Sequence, residues 1–582
     1  MSPAEYLRYA ISRSAMSSES STPSESAESA AQILVEGDVH LFNHADRHLV
    51  VVLPPAKIVG NLIAHHCPRL KIVNCSVTGE ANFVASGVSE FGAKFSVGKA
   101  LDARACRDLR NLRGHFSSVV CLEDSAIESL DENFFCEGDL FLARCSSLRT
   151  LNCKIGGSLH AEGSAISELG SSFSCSGDLR LNNCKNLKEI GLVSGPPRDV
   201  LLTHSGIERI TPSFLCTGSL VLSDVDYLES LSGHARYKVE VEAAPRLHSI
   251  LNLTSQGRME FSFCPMLTAV DFRTTSTALF HECSVQKFSP ASQSADLTIR
   301  SCGDLKSLGG SWSGDVTLVD LRAFAQLDSS FECKGNLMLR SCPDFTRLTG
   351  CVGGNATISK AGSLEEITPS FRSGGNLILA CSESRLKNLG CTVEGDLTVA
   401  GCTSTFSTSD SLSVHGDARF LNCPGMDVLR GRVVGNVILS EGTGVKYVGA
   451  DFEGEKNLII KQCPRLELLN CRVAGNVLVE DSSLGRTGPA FFCGGRLSLE
   501  RPVNLRELGG RVGAEIVFFS ETQKFGGIKM KIVGCTQTIV EENPKKPHGK
   551  GNPPSPLSRS GTFASPENTR QKTLPNHRSI ST

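Results

Sequence analysis

A glycine followed two and four residues later by apolar side chains recurs every 19 to 21 positions, as in Gly60-Asn61-Leu62-Ile63-Ala64, Gly138-Asp139-Leu140-Phe141-Leu142, Gly395-Asp396-Leu397-Thr398-Val399 and Gly475-Asn476-Val477-Leu478-Val479. Between these corners a second apolar pair returns, Leu148 with Leu151 or Ile166 with Leu169, separated by small and polar residues. Leu140 and Leu142 alternate with Phe141 in the period of a strand, so the leucines point into a core and Phe141 points out. A unit of about 20 residues cannot bury its own apolar face. The pattern therefore predicts a repeat solenoid in which each turn stacks on its neighbours, like over like, with strands pairing in parallel and in register. Counting corners from Gly60 to Ala514 gives about 24 turns, a rod on the order of 115 Å long at ~4.8 Å per turn.

Two kinds of turn alternate, making a double repeat of about 40 residues, and the 24 cysteines follow it. One series runs Cys67, Cys106, Cys145, Cys184, Cys264, Cys302, Cys342, Cys381, Cys423 and Cys463, while intervening turns carry Ser86, Ser125, Ser164, Ser205 and Ser482. Members two turns apart would lie roughly 9 to 10 Å from each other, beyond the reach of a disulfide. The alternation predicts a small donor tucked against loop backbone. No Cys-x-x-Cys pair or zinc spacing with histidine occurs, so no metal or cofactor is expected. Reduced thiols in this number favour a cytosolic working compartment, the producing cell's own or that of a host.

The pattern L-x-L-x-x-[C/S] followed by a second leucine pair resembles the leucine-rich repeat, in its cysteine-containing form, and the turn length is similar to the short repeats of bacterial leucine-rich-repeat effectors delivered by type III secretion. The resemblance covers about four fifths of the chain. It implies a parallel β-rich scaffold that binds a protein, a host protein if the likeness extends to delivery. Two features depart from it: no leucine stands three residues before the first strand leucine, and the paired prolines of the short bacterial repeat are missing. Cys153, Ile155, Gly157, Leu159 and Ala161 alternate without a break, as in a longer strand bent at the glycine, which leaves a right-handed β-helix as the alternative.

At the ends the pattern changes. Residues 1–32 hold ten serines and no apolar core of a signal peptide, and read as a disordered leader suited to a non-Sec secretion signal. Residues 33–59 read as an N-terminal cap, 60–513 as the solenoid and 514–542 as a C-terminal cap. Residues 543–582, with seven Lys or Arg against one Glu, read as a disordered basic tail carrying Ser555-Pro556 and Ser565-Pro566. From about Leu192 to Ser294 several corner glycines are lost, which predicts altered curvature or mobility there.

Composition narrows the function. The net charge is −2 with both signs interspersed, which gives no field for nucleic acid, and no run approaches the ~20 apolar residues of a membrane span. One Trp and five Tyr are few for a carbohydrate-stacking groove. Gly449 to Lys456 fails as a phosphate loop because no Lys-Ser/Thr pair follows the second glycine. No Gly-x-Ser-x-Gly elbow occurs, and the Cys67 of His66-Cys67 belongs to the ladder. The ubiquitin-ligase domain that follows the repeats in some such effectors has no room in the tail. No catalytic residue is assigned and no enzyme activity is expected.

What remains is the outward column between the inward aliphatics: Phe141, His160 and Arg180 early, then Thr298, Thr317, Met338, Thr357, Ile378, Thr398, Arg419, Ile438, Ile459 and Leu478. Met338, Ile378, Ile438, Ile459 and Leu478 form a stripe more apolar than solubility requires, and are the candidate partner-binding residues. The alternatives to a protein-binding scaffold are a self-assembling structural solenoid, which would form concentration-dependent filaments, and a carbohydrate-active β-helix, although the outward column lacks the clustered Asp and Arg of pectin-cleaving enzymes.

Overall fold

A computed structural model describes residues 1–16, 33–41, 49–191, 194–380, 382 and 384–519, together with the strand backbones at 531–533 and 539–542. The described chain is a parallel β-solenoid of about 24 turns with almost no helix. The residues after each Gly-Asn or Gly-Asp corner build one long ladder, running from Val39–His40 through Leu337–Arg340 to Ile539–Glu542, each strand pairing in parallel with those of adjacent turns. Two further strand segments complete a coil. In the turn that starts at Leu337–Arg340 they are Arg347–Leu348 and Cys351–Val352. Around Gly157 the expected longer strand is instead two short ones, Lys154–Ile155 and Leu159–His160, which belong to different sheets with the glycine pair as the corner between them, while the buried alternation of Cys153, Ile155, Leu159 and Ala161 is kept.

The inward residues are those that the periodicity named. Leu140, Leu142, Leu148, Leu151 and Ile166 are buried, Leu169 is half-buried, and Phe141 faces out. Because register is kept, Leu stacks on Leu along the rod, as in Leu140 over Leu159 over Leu179. Where the glycines thin out, the strands lengthen. Ser230–Ala235, Ser249–Ser255 and Ala269–Thr274 span what are elsewhere two separate segments, with register shifts where the backbone kinks. A larger core there takes aromatics: Phe261, Phe272, Phe280, Phe288 and Trp312 lie with ring centroids 5.1 to 6.5 Å apart.

Two local devices make the coil. After the long-ladder strand one residue per turn adopts a left-handed φ, usually without glycine: Ala105 at 57°, Arg144 at 59°, Lys360 at 53° and Glu441 at 59°. Stacking holds this bend against its intrinsic cost, and its sequence is correspondingly free. The Gly-Asn corner is the reverse case. Gly335 and Gly416 are not left-handed; they are glycine because a Cβ would lie 2.3 and 2.4 Å from the Asp315 and Asp396 Oδ1 atoms of the preceding turn.

The cysteines behave as a packed ladder. Cys106, Cys145 and Cys184 each donate to a backbone carbonyl at 3.2 Å, from Phe83, Leu122 and Ala161, and meet Ser86, Ser125 and Ser164 of the turn below at 3.5 to 3.7 Å. The sequence series omits Cys283, which occupies the turn between Cys264 and Cys302, so three thiols stand on consecutive turns there. A second column, Cys136, Cys175, Cys333 and Cys493, caps corner carbonyls on the other side. Burial pushes the Cys145 thiol up to about 11 and the Cys463 thiol up to about 12. The described cysteines are all free, and Cys351 is the exposed one among them. Iodoacetamide at pH 8 is accordingly expected to label Cys351 in the folded protein and the ladder thiols only after denaturation. Mass spectrometry showing early labelling of Cys106 or Cys145 would remove the ladder account.

The predicted ends are corrected. Residues 3–16 of the expected disordered leader form a helix, α1 (Pro3–Met16). Its start is a capping box: Ser2 Oγ accepts the Glu5 N–H at 3.3 Å, and Glu5 Oε2 accepts the Ser2 N–H at 2.8 Å. Tyr6, Leu7 and Ala10 are buried in the core, with the Tyr6 hydroxyl donating to Pro54 O at 2.8 Å. The helix is the cap. Residues 33–59 are already solenoid, since Leu34–Glu36 pairs with Lys57–Val59 and Val39–His40 with Leu62–Ile63. At the other end Ile516–Phe519 pairs in register with Leu497–Glu500 and with Ile539–Glu542, so the ladder continues through the expected C-terminal cap. The remainder of the leader and the basic tail 543–582 lie outside the described residues. No described helix is long and apolar enough to cross a membrane.

Candidate functional site: the outward face of the long ladder

Parallel register places all five candidate residues in one column. Met338 stands between Thr317 and Thr357, and Ile378 between Thr357 and Thr398. Arg419 follows, then Ile438, Ile459, Leu478 and Ser498. The column has two parts. Met338 and Ile378 are 47% and 42% exposed, because each stands above the shorter threonines on either side. Ile438, Ile459 and Leu478 are half-buried, since three aliphatics on consecutive rungs cover one another's flanks. The stripe is therefore strongest at Met338 and Ile378, with the aliphatic triplet as a flatter extension.

Beside the column runs a feature absent from the sequence reading. From Asp296 to Asn476 the corner residue just before each ladder strand accepts, through Oδ1, the backbone N–H of its counterpart one turn on. The bonds run from Asp296 to Asp315 at 2.9 Å, Asp315 to Asn336 at 2.7 Å, Asn336 to Asn355 at 2.9 Å, Asn355 to Asn376 and Asn376 to Asp396 at 2.8 Å, and Asp396 to Asp417 at 2.9 Å. They continue through Asn436, Asn457 and Asn476 to the Arg496 N–H. The signal was present in the repeated Gly-Asn and Gly-Asp pairs, but its meaning needs the neighbouring turn. Arg419, the one charged residue between the two apolar parts, is held by this ladder, donating to Asp396 Oδ2 at 2.9 Å and Asp417 Oδ2 at 2.7 Å.

The Asp417 N–H, and then Arg419, hold the Asp396 carboxyl below the ordinary carboxylate value. A carboxylate depressed in the folded state contributes stability that is complete above its unfolded pKa and is lost as pH falls through the folded pKa. Ladder weakening is thus expected below about pH 4. Asp396→Asn keeps the accepting oxygen and should flatten that part of the stability curve in urea melts followed by circular dichroism. An unchanged acid slope would show that this carboxylate contributes nothing.

A second exposed apolar group, also absent from the sequence reading, lies at the corners of the middle turns. Tyr227 is flanked by Lys188 at 5.1 Å and Arg246 at 5.3 Å from its ring, with Phe263 and Met266 exposed two turns further on. Among the described residues no group of three or more His, Cys, Asp or Glu is placed to hold a metal ion. No family model matches the chain, and no curated protein matches it in sequence.

Proposed function

We propose that this chain is a non-enzymatic scaffold that binds a protein partner along the outward face of its long ladder, with Met338 and Ile378 as anchors and Ile438, Ile459 and Leu478 extending the contact. The observation that carries this reading is the apolar column itself, exposed at Met338 and Ile378 and fixed in position by the Asn/Asp ladder beside it. A rigid face loses little conformational entropy on binding, and large side chains standing proud of a threonine surface are the form that binding anchors take. The Ser-rich segment after α1, the reduced cysteines and the likeness to leucine-rich-repeat effectors support delivery into a host cell as the setting, with a host protein as the partner.

The test compares the full-length protein with Met338→Asp/Ile378→Asp in affinity capture from eukaryotic cytosol, followed by titration with the purified partner. A saturable partner whose affinity falls by tenfold or more in the variant, at unchanged circular dichroism, supports the reading; this corresponds to a loss of about 1.4 kcal/mol or more. A partner held equally by the variant removes this face. The self-assembly alternative would show itself as sedimentation that grows with concentration; at the N-terminal end, head-to-tail stacking would have to displace α1.

A further inference from the structure

The double repeat corrugates one edge of the rod. From Cys463 to the strand at Leu468–Leu469 the chain takes one residue more than from Ser482 to the paired strand at Arg486–Thr487. The shorter corner is recessed between its neighbours and floored by Ser483 and Gly485. In these last turns the recess is a cavity of about 780 Å³ whose walls carry Arg465, Arg486 and Arg506. It adjoins a second, of about 870 Å³, that shares Arg486 and Glu507 and is lined by Leu468, Pro489 and Phe492, with Arg511 at its rim.

Several guanidinium groups along the rod are paired from turn to turn: Arg144 with Asp124, Arg209 with Glu189, Arg347 with Glu366, Arg432 with Glu455. Among the described residues Arg486 and Arg506 make no ion pair, and Arg465 donates only to Pro424 O at 3.3 Å. Two carboxylates face them. Glu467 accepts the Tyr447 hydroxyl at 3.0 Å, and Glu507 stands opposite Arg486 in register. The Asn504 amide is already bonded to Ser483 Oγ at 3.0 Å. Arg465, Arg486 and Arg506 thus line one recess, next to an apolar hollow.

We propose that this cleft binds an oxyanion carried on an apolar body, a phosphate or sulfate monoester, with Arg465, Arg486 and Arg506 donating to the anion and the hollow beside Leu468, Pro489 and Phe492 taking the body. Guanidinium forks match tetrahedral oxyanions through paired charge-assisted hydrogen bonds. The site lies at turns beyond the Met338–Ile378 anchors and does not depend on the partner reading above.

The experiment is isothermal titration of the full-length protein at constant ionic strength with phenyl phosphate, phenyl sulfate and inorganic phosphate. Saturable one-site binding is expected, with phenyl phosphate about tenfold tighter than inorganic phosphate. Arg486→Gln/Arg506→Gln should weaken it by at least tenfold while circular dichroism stays unchanged, since both side chains are exposed. Glu507→Gln should tighten it by removing the opposing charge, and Arg347→Gln, at an ion-paired site, should leave it as it was. Absence of saturable binding, retention in the double variant, or an equal loss in Arg347→Gln overturns the site. Equal affinity for phenyl phosphate and inorganic phosphate overturns the apolar half.

Discussion

Phe280→Ala is expected to cost about 3–5 kcal/mol and to break the rod into two unfolding units. Phe280 is fully buried, with ring centroids 5.1 Å from Phe261, 5.6 Å from Phe272 and 5.2 Å from Phe288. In a linear array each turn is stabilised chiefly by its two neighbours, so a cavity at one turn weakens the coupling between everything before it and everything after it. The middle is the place where such a defect should tell, because its long strands replace the glycine corners and their kinks depend on the aromatic core beneath. The sole Trp of the chain, Trp312, sits 6.2 Å from Phe288 and reports locally. In the variant, Trp312 fluorescence should change at lower urea than far-UV circular dichroism. Coincident transitions at the wild-type midpoint would show that the aromatic cluster is not the coupling element.

The second large effect concerns the corner. Gly416→Ala would place a Cβ 2.4 Å from Asp396 Oδ1 and 2.5 Å from Gly395 O. Neither atom can retreat, because Asp396 Oδ1 accepts the Asp417 N–H and its other oxygen holds Arg419. Relief therefore requires breaking a ladder bond or displacing a backbone that repeats along the rod. The expected cost is about 2–4 kcal/mol, from overpacking together with the loss of a half-buried ladder hydrogen bond. Gly442→Ala serves as the comparison: that glycine has φ 80° but nothing within 4 Å of the added carbon, so its penalty is conformational and smaller, about 1–2 kcal/mol. If both variants melt together, the glycine period does not express the stacking distance.

These two sites mark how far the sequence could be read. The inward leucines and the parallel register were legible because a period repeated many times leaves one way for like residues to stack. The cysteine ladder was legible for the same reason, since Cys alternating with Ser at a fixed interval admits only a small, shared environment. The outward column followed from the same alternation, and register placed Met338, Ile378, Ile438, Ile459 and Leu478 in a line as expected. How exposed each would be did not follow: exposure depends on the height of the residues on adjoining rungs, low Thr beside Met338 and Ile378, full-sized aliphatics beside Ile459.

The ends were read by composition, and composition misled. Serines dominate the first 32 residues, yet Ser2-Pro3-Ala4-Glu5 is a helix start, and Tyr6, Leu7 and Ala10 form its apolar face. That signal is local and short, and it stabilises a helix only because an open rung lies against it.

The sequence by itself determined the solenoid, its period and which side of each strand faces the core, because these depend on a repeating contrast between apolar and polar positions that every turn restates. The tertiary structure alone decided what one turn does to the next: which glycines are glycine for want of space, how Asn and Asp oxygens feed the following rung, where guanidinium groups find carboxylates and where, around Arg486, they do not. Those interactions join residues about 20 apart in sequence and ~4.8 Å apart in space, and they are fixed by the height and aim of side chains on neighbouring turns.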